Sequence, residues 1–562
     1  MRRSVLSLCL IASLSLVAIA AHKSNAGQYA SAHLPPAVIA ALGKVDPEHI
    51  RAHVWFLSHD LLEGRGTGQR GGDIAAQYIA AQFMAYGLKP AGDNGTFFQQ
   101  VSLVGITASP DTTFDLVSNK GETQRLKPLD DYVAYDQTQK ASNEIDAPIV
   151  YVGYGISAPE YQWDDYKGVD VRGKVLLMLV NEPPSNDPNF FKGPALTYYG
   201  RWTYKYEEAA RRGAVGAILI HQTDMASYPW DVVRNSNSGE KSFLKSDAPQ
   251  LKAASWIQYD VAKKLAQNSG LDLKKMMEDA QSRNFRPVAL PVRLKAHMES
   301  KIRQFSSRNV VAMLPGSDRT LKDEAVMYTA HYDHLGIRPD MPGDNIYNGA
   351  RDNATGCGIL LELARVFSQA ASQPRRSVIF ASVTAEEQGL LGSEYLGEHP
   401  PIAAGKIALD LNFDDIPPLG EPQEVEISGA ERTNFYPTVE AMAKEFRLAI
   451  EPDSHPEAGN YYRSDHFSLA RVGVPAFSLN EGMKYKGHNR EWGLQQSDYY
   501  TNHQYHQPSD EYSPSMDFRG DAVMARFGLA LGWAAASQPK LIGWQNGDEF
   551  EKARVQSQSS GR

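Results

Sequence analysis

The chain is almost without cysteine: two in 562 residues, Cys9 and Cys357. Cys9 falls in the apolar start of the chain. A product that loses this start keeps one thiol and no internal disulfide, so a large core, with or without bound metal, must hold it. Positive charge is also short. Lys and Arg number 57 against 66 Asp and Glu, a net charge of −9, and no long basic stripe runs along the chain. That balance argues against a nucleic-acid partner. Beyond the N-terminus there is no run apolar enough to span a membrane, and there is no internal repeat. What remains is the composition of a soluble globular protein, 42% hydrophobic and 22% charged, on a chain long enough for two or more domains.

The N-terminus differs from the rest. Met1-Arg2-Arg3 precedes an apolar run from Val5 to Ala21, and Ser24 and Ala26 then offer a small-residue cleavage site. This order predicts an export signal over residues 1–26 and a periplasmic or extracellular product. The run is short for a membrane span and contains several serines. Leu8 before Cys9 is too bulky for a lipoprotein cleavage site.

Further on, apolar spacing predicts a helix from Asp46 to Leu62 and a second from about Asp73 to Tyr86. Between them lies the glycine-rich stretch from Gly64 to Gly72. No strand precedes it and no Gly-Lys-Ser/Thr closes it, so it reads as a turn rather than a phosphate cradle. The texture changes near Ala147. Strand-like runs at 148–152, 173–180 and 214–220 mark a block over 141–295 that lacks a cluster of metal-ligating residues. From Asn309 to about residue 538 strands and helices alternate, which predicts an α/β sheet with helices on both faces. The polar tail, 549–562, reads as flexible.

Two adjacent glutamates, Glu386 and Glu387, follow the strand-like run 377–384. Like charges at a strand end repel, so a cation is needed to hold them. His331 also follows a strand, Asp414 follows another, Asp352 precedes a helix, and His506 lies in a polar segment. Each has a bland reading alone: a solvated face, a structural histidine, an N-cap, a turn. In an open α/β sheet, however, sites form beyond the carboxyl ends of the strands, where these residues fall together. Imidazole and carboxylate without thiolate suit zinc, although manganese or cobalt would fit as well. So many ligands suit two ions sharing a carboxylate, each with an open position. Asp333 is spaced to orient His331, and Asp510 stands near His506. In an extended segment neighbouring side chains diverge, so one glutamate can ligate while the other acts as a base.

Six segments carry a resemblance: Ala330-His331-Tyr332-Asp333-His334, Gly349 to Gly356, Thr384-Ala385-Glu386-Glu387-Gln388-Gly389, Leu411-Asn412-Phe413-Asp414, Arg463-Ser464-Asp465-His466 and Tyr505 to Asp510. In order and spacing the chain resembles the secreted double-zinc aminopeptidase family, which also contains glutamate carboxypeptidase and the transferrin receptor ectodomain. The resemblance implies a zinc-exopeptidase fold: a mixed α/β sheet sandwiched by helices, built from 45–140 and 300–540. It implies that 141–295 is an inserted β-rich protease-associated domain, whose position predicts that it shapes the substrate entrance. By the same resemblance His331 and Asp414 hold one zinc, Glu387 and His506 the other, and Asp352 bridges them. Glu386 is then the general base and acid, Tyr505 stabilises an oxyanion, and Arg463 lies near the substrate. Asp415 departs from the pattern, since methionine is common there, and the stretch between His331 and Asp352 is long. His466 and His503 are the competing histidines.

The expectation is an exported two-zinc peptidase acting on peptides, with no nucleic-acid partner. An aminopeptidase is favoured, because site carboxylates suit a free amine. The alternatives are a carboxypeptidase or dipeptidase, a single-zinc cyclase of N-terminal glutamine, and a non-catalytic receptor on the same fold.

Overall fold

A computed structural model describes residues 34–560, apart from 247 and 340. The signal expected over 1–26 lies outside the described residues. Four strands, Ala476–Ser478, Ile407–Asn412, Ala325–His331 and Ser377–Val383, are neighbours in that order and run parallel. Every residue in them is buried. Strands covered on both faces need no polar side, which is why they read as near-continuous apolar runs. The helices Pro47–Leu57, Arg70–Ala85, Gly356–Ser368 and Arg519–Ser537 cover one face, meeting it through Val54, Phe83, Leu360 and Phe527. Leu391–Glu398 and His466–Arg471 cover the other, packing Leu396 and Leu469 against Val311 and Ile379. Each fully buried leucine contributes about 2 kcal/mol. This is the mixed sheet between helices that the alternation predicts.

The first helix ends at Leu57 rather than at Leu62. Residues 60–65 wind more tightly, with Glu63 and Gly64 at φ of 50° and 64°. Such left-handed positions cannot continue an α-helix.

A second sheet is built largely from the 141–295 block. Ser142–Tyr151, Val175–Leu179, Gly216–His221 and Ala253–Gln258 run parallel as successive neighbours, with Tyr132–Tyr135 antiparallel at the edge. The long strand Val288–Leu314 threads both sheets. Its first part pairs with Ser142–Tyr151 and Thr113–Ser118, its later part with Phe98–Ala108 and Ser377–Val383. The second sheet therefore recruits residues before 141, and no break falls near 295. The strict alternation of its first part ends near Ser300, where its partners change, but the strand itself continues unbroken.

The tail expected to be flexible from residue 549 forms a helix, Glu551–Ser560. Arg554 anchors it, 3% exposed, donating to the carbonyls of Ile542 and Ala404. One buried guanidinium outweighs the polar composition that pointed to fraying. Among the described residues no helix is long and apolar enough to cross a membrane.

Candidate metal centre

Because the four central strands are parallel, their carboxyl ends lie along one edge, and the loops leaving them meet there. His331 ends its strand, 1% exposed. Its Nδ1 lies 3.1 Å from the backbone carbonyl of Asp333. A carbonyl only accepts, so Nδ1 carries a proton and Nε2 is the nitrogen turned to the carboxylates. That Nε2 is 3.1 Å from Asp414 Oδ1 and 3.2 Å from Asp352 Oδ1. The other Asp352 oxygen, Oδ2, lies 3.3 Å from His506 Nε2, which is itself 3.1 Å from Glu387 Oε2. Asp352 thus faces one imidazole with each oxygen.

The supports of these side chains are local. Ser464 donates to Asp414 Oδ2 and accepts from Asn412 Nδ2 at 2.7 Å. Asp510 accepts the backbone N–H groups of Arg351 and Asp352, each at 3.0 Å, and the Tyr500 hydroxyl at 3.3 Å. It therefore fixes the loop that carries Asp352 and makes no hydrogen bond to the His506 ring. Asp333 accepts from Glu386 N at 3.1 Å and from Thr67 Oγ1 at 2.9 Å, and it reaches the His331 ring through its carbonyl rather than its carboxylate.

The segment of the two glutamates is a turn, not the extended stretch expected. Ala385 has φ of 55°, and the N–H groups of Gly389 and Leu390 both donate to the Glu386 carbonyl at 2.8 Å. The turn sends Glu387 to His506, while Glu386 Oε2 stays 4.0 Å from His331 Nε2.

Tyr505 stacks on His506 with ring centroids 4.0 Å apart and lines the adjoining cavities. Arg463 spends its guanidinium on the carbonyls of Ala458, at 2.7 Å, and Ala226, at 3.1 Å. Asp415 pairs with Arg351 at 2.8 Å. His466 is buried against Tyr461, and burial lowers it to about 3. His503 is exposed at the end of the helix Arg490–His503. Neither competing histidine joins the cluster.

Three residues of the centre escape a reading of the sequence. His334 is fully buried, with Nδ1 only 2.6 Å from Glu387 Oε1, yet neither atom has a hydrogen-bond partner. Its place beside the His331-Tyr332-Asp333 segment is the one signal it gives. Arg65, in the glycine-rich turn, is 1% exposed and donates to the carbonyls of Leu57, Tyr332, Asn348 and Gly349, so it ties together the loops that carry His331 and Asp352. Ser236 lies 2.9 Å from His506 Nδ1, and as a serine on an amphipathic helix it is indistinguishable from a surface residue.

The electrostatics call for cations. Among the described residues no lysine or arginine side chain pairs with the carboxylates of Asp352, Glu386, Glu387 or Asp414. Burial opposes charge on Glu387, but His506 holds it down at about 2. Burial likewise opposes charge on His506, yet Glu387 and Asp352 push it up to about 10. Burial raises Glu386 well above the usual carboxylate range; His331 pulls it back, and Glu387 and Asp414 raise it further. Imidazolium charge balances the carboxylates here only by occupying the lone pairs that a metal would use. Two groups present converging donor atoms, His331 with Asp352 and Asp414, and His334 with Asp352 and Glu387. Nitrogen and carboxylate donors sharing Asp352 fit a pair of zinc-type ions.

Residues 309–526 match the model of peptidase family M28. The chain is 30% identical over 191 residues to leupeptin-inactivating enzyme 1 of Streptomyces exfoliatus, covering 33% of this chain and 39% of that one. It is 38% identical over 106 residues to a probable zinc metalloprotease of Pyrenophora teres f. teres, covering 19% and 22%. The aligned segment spans less than half of either relative. The aminopeptidase from Aneurinibacillus sp. strain AM-1 superposes with a TM-score of 0.55 over 91% of this chain and 98% of that one, at 19% identity. At that identity the likeness is one of fold.

Proposed function

We propose, from the match of residues 309–526 to the model of peptidase family M28, that this chain is an exported two-zinc exopeptidase that removes amino-terminal residues from peptides. His331 and Asp414 would hold one ion, His506 and Glu387 the other, and Asp352 both. When bound, the ions supply Lewis acidity, lowering the pKa of a water and stabilising negative charge on a carbonyl oxygen. Glu386 has no ligand role in this scheme. Its carboxylate takes the proton of the attacking water and returns it to the leaving amine. Tyr505 is kept protonated by burial and offers a hydroxyl donor to the developing oxyanion.

The amino-terminal preference rests on one observation. A cavity of about 600 Å³ opens onto Glu386 and is lined by Asp224, Asp415, Glu426, Asp453, Glu457 and Asp498. Burial raises Glu426 to about 7 and also raises Asp453, and each is raised further by a neighbouring carboxylate. Such a wall favours an ammonium group. Export rests on the basic, then apolar, then small-residue order of the first 26 residues.

A second reading, a carboxypeptidase or dipeptidase, has its own support. An adjoining cavity of about 180 Å³ is lined by Arg201 together with Glu386, Tyr505 and His506. The Nε of Arg201 is buried without a partner, and burial, reinforced by Arg463, lowers the guanidinium to about 10. A substrate carboxylate would answer it.

One substrate panel separates the readings. Aminoacyl amides, free dipeptides and N-blocked peptides with free carboxyl ends are offered before and after chelation. Cleavage of aminoacyl amides that disappears on chelation and returns with zinc supports the proposal. Cleavage of N-blocked peptides alone supports the second reading. Turnover that survives complete metal removal sinks both.

A further inference from the structure

The supports of the metal centre come from two different parts of the chain. His331 and Asp414 are held by the carbonyl of Asp333 and the hydroxyl of Ser464, both in the M28 region. His506, and the backbone at Glu387, are contacted from the 141–295 block. Ser236, on the helix Trp230–Asn237, places its Oγ 2.9 Å from His506 Nδ1. Asn235, one residue earlier, donates its Nδ2 to the His506 carbonyl at 3.1 Å and to Gln507 Oε1 at 3.1 Å. His506 has φ of 56°, in the left-handed region. L-residues are disfavoured there, so its position needs external support.

The same block reaches Glu387. Lys241 Nζ lies 3.5 Å from the Glu387 carbonyl, and Ser242 N donates to Gln388 Oε1 at 2.9 Å. Lys241 is buried, and its ammonium is close enough to Glu387 and Glu386 to be acted on by both charges. The contact is returned from the loop between His331 and Asp352, where Arg338 donates to Ser238 Oγ at 3.1 Å and to the Asn235 carbonyl at 3.4 Å. The Ser236 helix is thus fastened to the loops on both sides of the second site.

We infer that Ser236 is the positioning residue of the His506 ion, and that the 141–295 block therefore sets the occupancy of one metal site and not of the other. The inference rests on the two-ion reading above. The Ser236 hydroxyl holds the plane of the His506 ring, and when it accepts the Nδ1 proton it leaves Nε2 bare toward Asp352 and Glu387. Partners that orient a metal-binding imidazole in this way are worth about 10- to 100-fold in metal affinity. The block is then more than a wall of the substrate entrance.

The test is a titration of the full-length mature chain with Co²⁺ and with Zn²⁺, using competing chelators to resolve two binding steps and the visible Co²⁺ spectrum to report coordination. Ser236→Ala is expected to weaken one step about 10- to 100-fold and change the spectrum of that ion, leaving the other step at its wild-type value. Ser236→Thr, which keeps the hydroxyl, is expected to restore both. Asn235→Ala provides a milder loss of support at the same site and should weaken the same step. Two unchanged steps in Ser236→Ala overturn the inference while leaving the two-ion reading intact, as does equal weakening of both steps in a variant whose circular dichroism is native. If Ser236→Ala does not fold, a weakening of the same single step in Asn235→Ala supports the inference and its absence overturns it. A wild-type chain that binds fewer than two ions overturns the two-ion reading itself.

Discussion

Asp333 accepts the backbone N–H of Glu386 at 3.1 Å through Oδ1, while its Oδ2 accepts the Thr67 hydroxyl at 2.9 Å. One buried carboxylate therefore joins the His331 strand end, the glycine-rich turn and the peptide that leads into Glu386. Burial raises this carboxyl to about 6, opposed by the neighbouring His331. Asp333→Ala is expected to lower kcat about 10- to 100-fold, because the turn that aims Glu386 loses its anchor. Asp333→Asn keeps one acceptor oxygen and should lose much less. Steady-state kinetics on an aminoacyl amide check this, and equal losses in the two variants would contradict the anchoring role.

Glu386 and Glu387 predict opposite signatures. Glu387 faces His506 at 3.1 Å, whereas no imidazole nitrogen of the centre lies closer to Glu386 than the 4.0 Å of His331. Glu386→Gln should bind metal as the wild type does and lose at least about 100-fold in kcat, the scale of a missing proton carrier. Glu387→Gln should lose metal. Elemental analysis of dialysed protein alongside kinetics separates the two, and metal loss in Glu386→Gln would reassign it as a ligand.

How much of this was legible before folding depends on what kind of constraint each residue obeys. His331, Glu386, Glu387 and Asp414 follow buried parallel strands, and such strands are visible as apolar runs whose ends share an edge. Asp352 and His506 stand in short polar segments of recognisable order. Ser236 is different. It lies 270 positions from His506 on a helix with no chemical peculiarity, so only the packing of the two sheets brings it to the ring. The domain boundary is hidden for a related reason. The strand Val288–Leu314 passes from one sheet to the other without a break, and although its strict alternation ends near Ser300, no turn interrupts it there. The helix at Glu551–Ser560 was obscured by its composition, since a single buried arginine carries it.

Arg65 offers a stability test of the centre without touching a ligand. Its guanidinium is the shared donor for the carbonyls of Leu57, Tyr332, Asn348 and Gly349. Hydrogen bonds from a charged donor contribute about 1.5–3 kcal/mol each, and their removal would leave buried carbonyls without partners. Arg65→Ala should destabilise the metal-free protein by at least about 3 kcal/mol in urea unfolding. Arg65→Lys should recover only part of this, because one ammonium cannot span four carbonyls. A loss below about 1 kcal/mol in Arg65→Ala would mean that the loops are held by their other contacts.

His53 predicts an acid sensitivity remote from the metals. It is buried in the helix Pro47–Leu57, with Nδ1 2.8 Å from the Tyr78 hydroxyl and Nε2 3.3 Å from that of Tyr86. Burial lowers it to about 4, and the nearby His49 and Arg365 press in the same direction. The folded pKa thus lies below the unfolded value of about 6.5. A depressed group contributes its stability in full above the unfolded pKa and loses it as pH falls toward the folded one, because the unfolded chain takes up the proton first. The loss runs from about pH 6.5 down to about pH 4 and amounts to at most about 3 kcal/mol for this shift. The histidines of the candidate centre also titrate in the metal-free protein, so the quantity to measure is the difference between wild type and His53→Gln at each pH. Glutamine keeps a hydrogen-bonding side chain and cannot titrate. The wild-type advantage in urea midpoint should shrink steadily between pH 6.5 and 4.5. Two curves that stay parallel across that range would show that His53 takes up its proton in the folded protein as readily as in the unfolded chain.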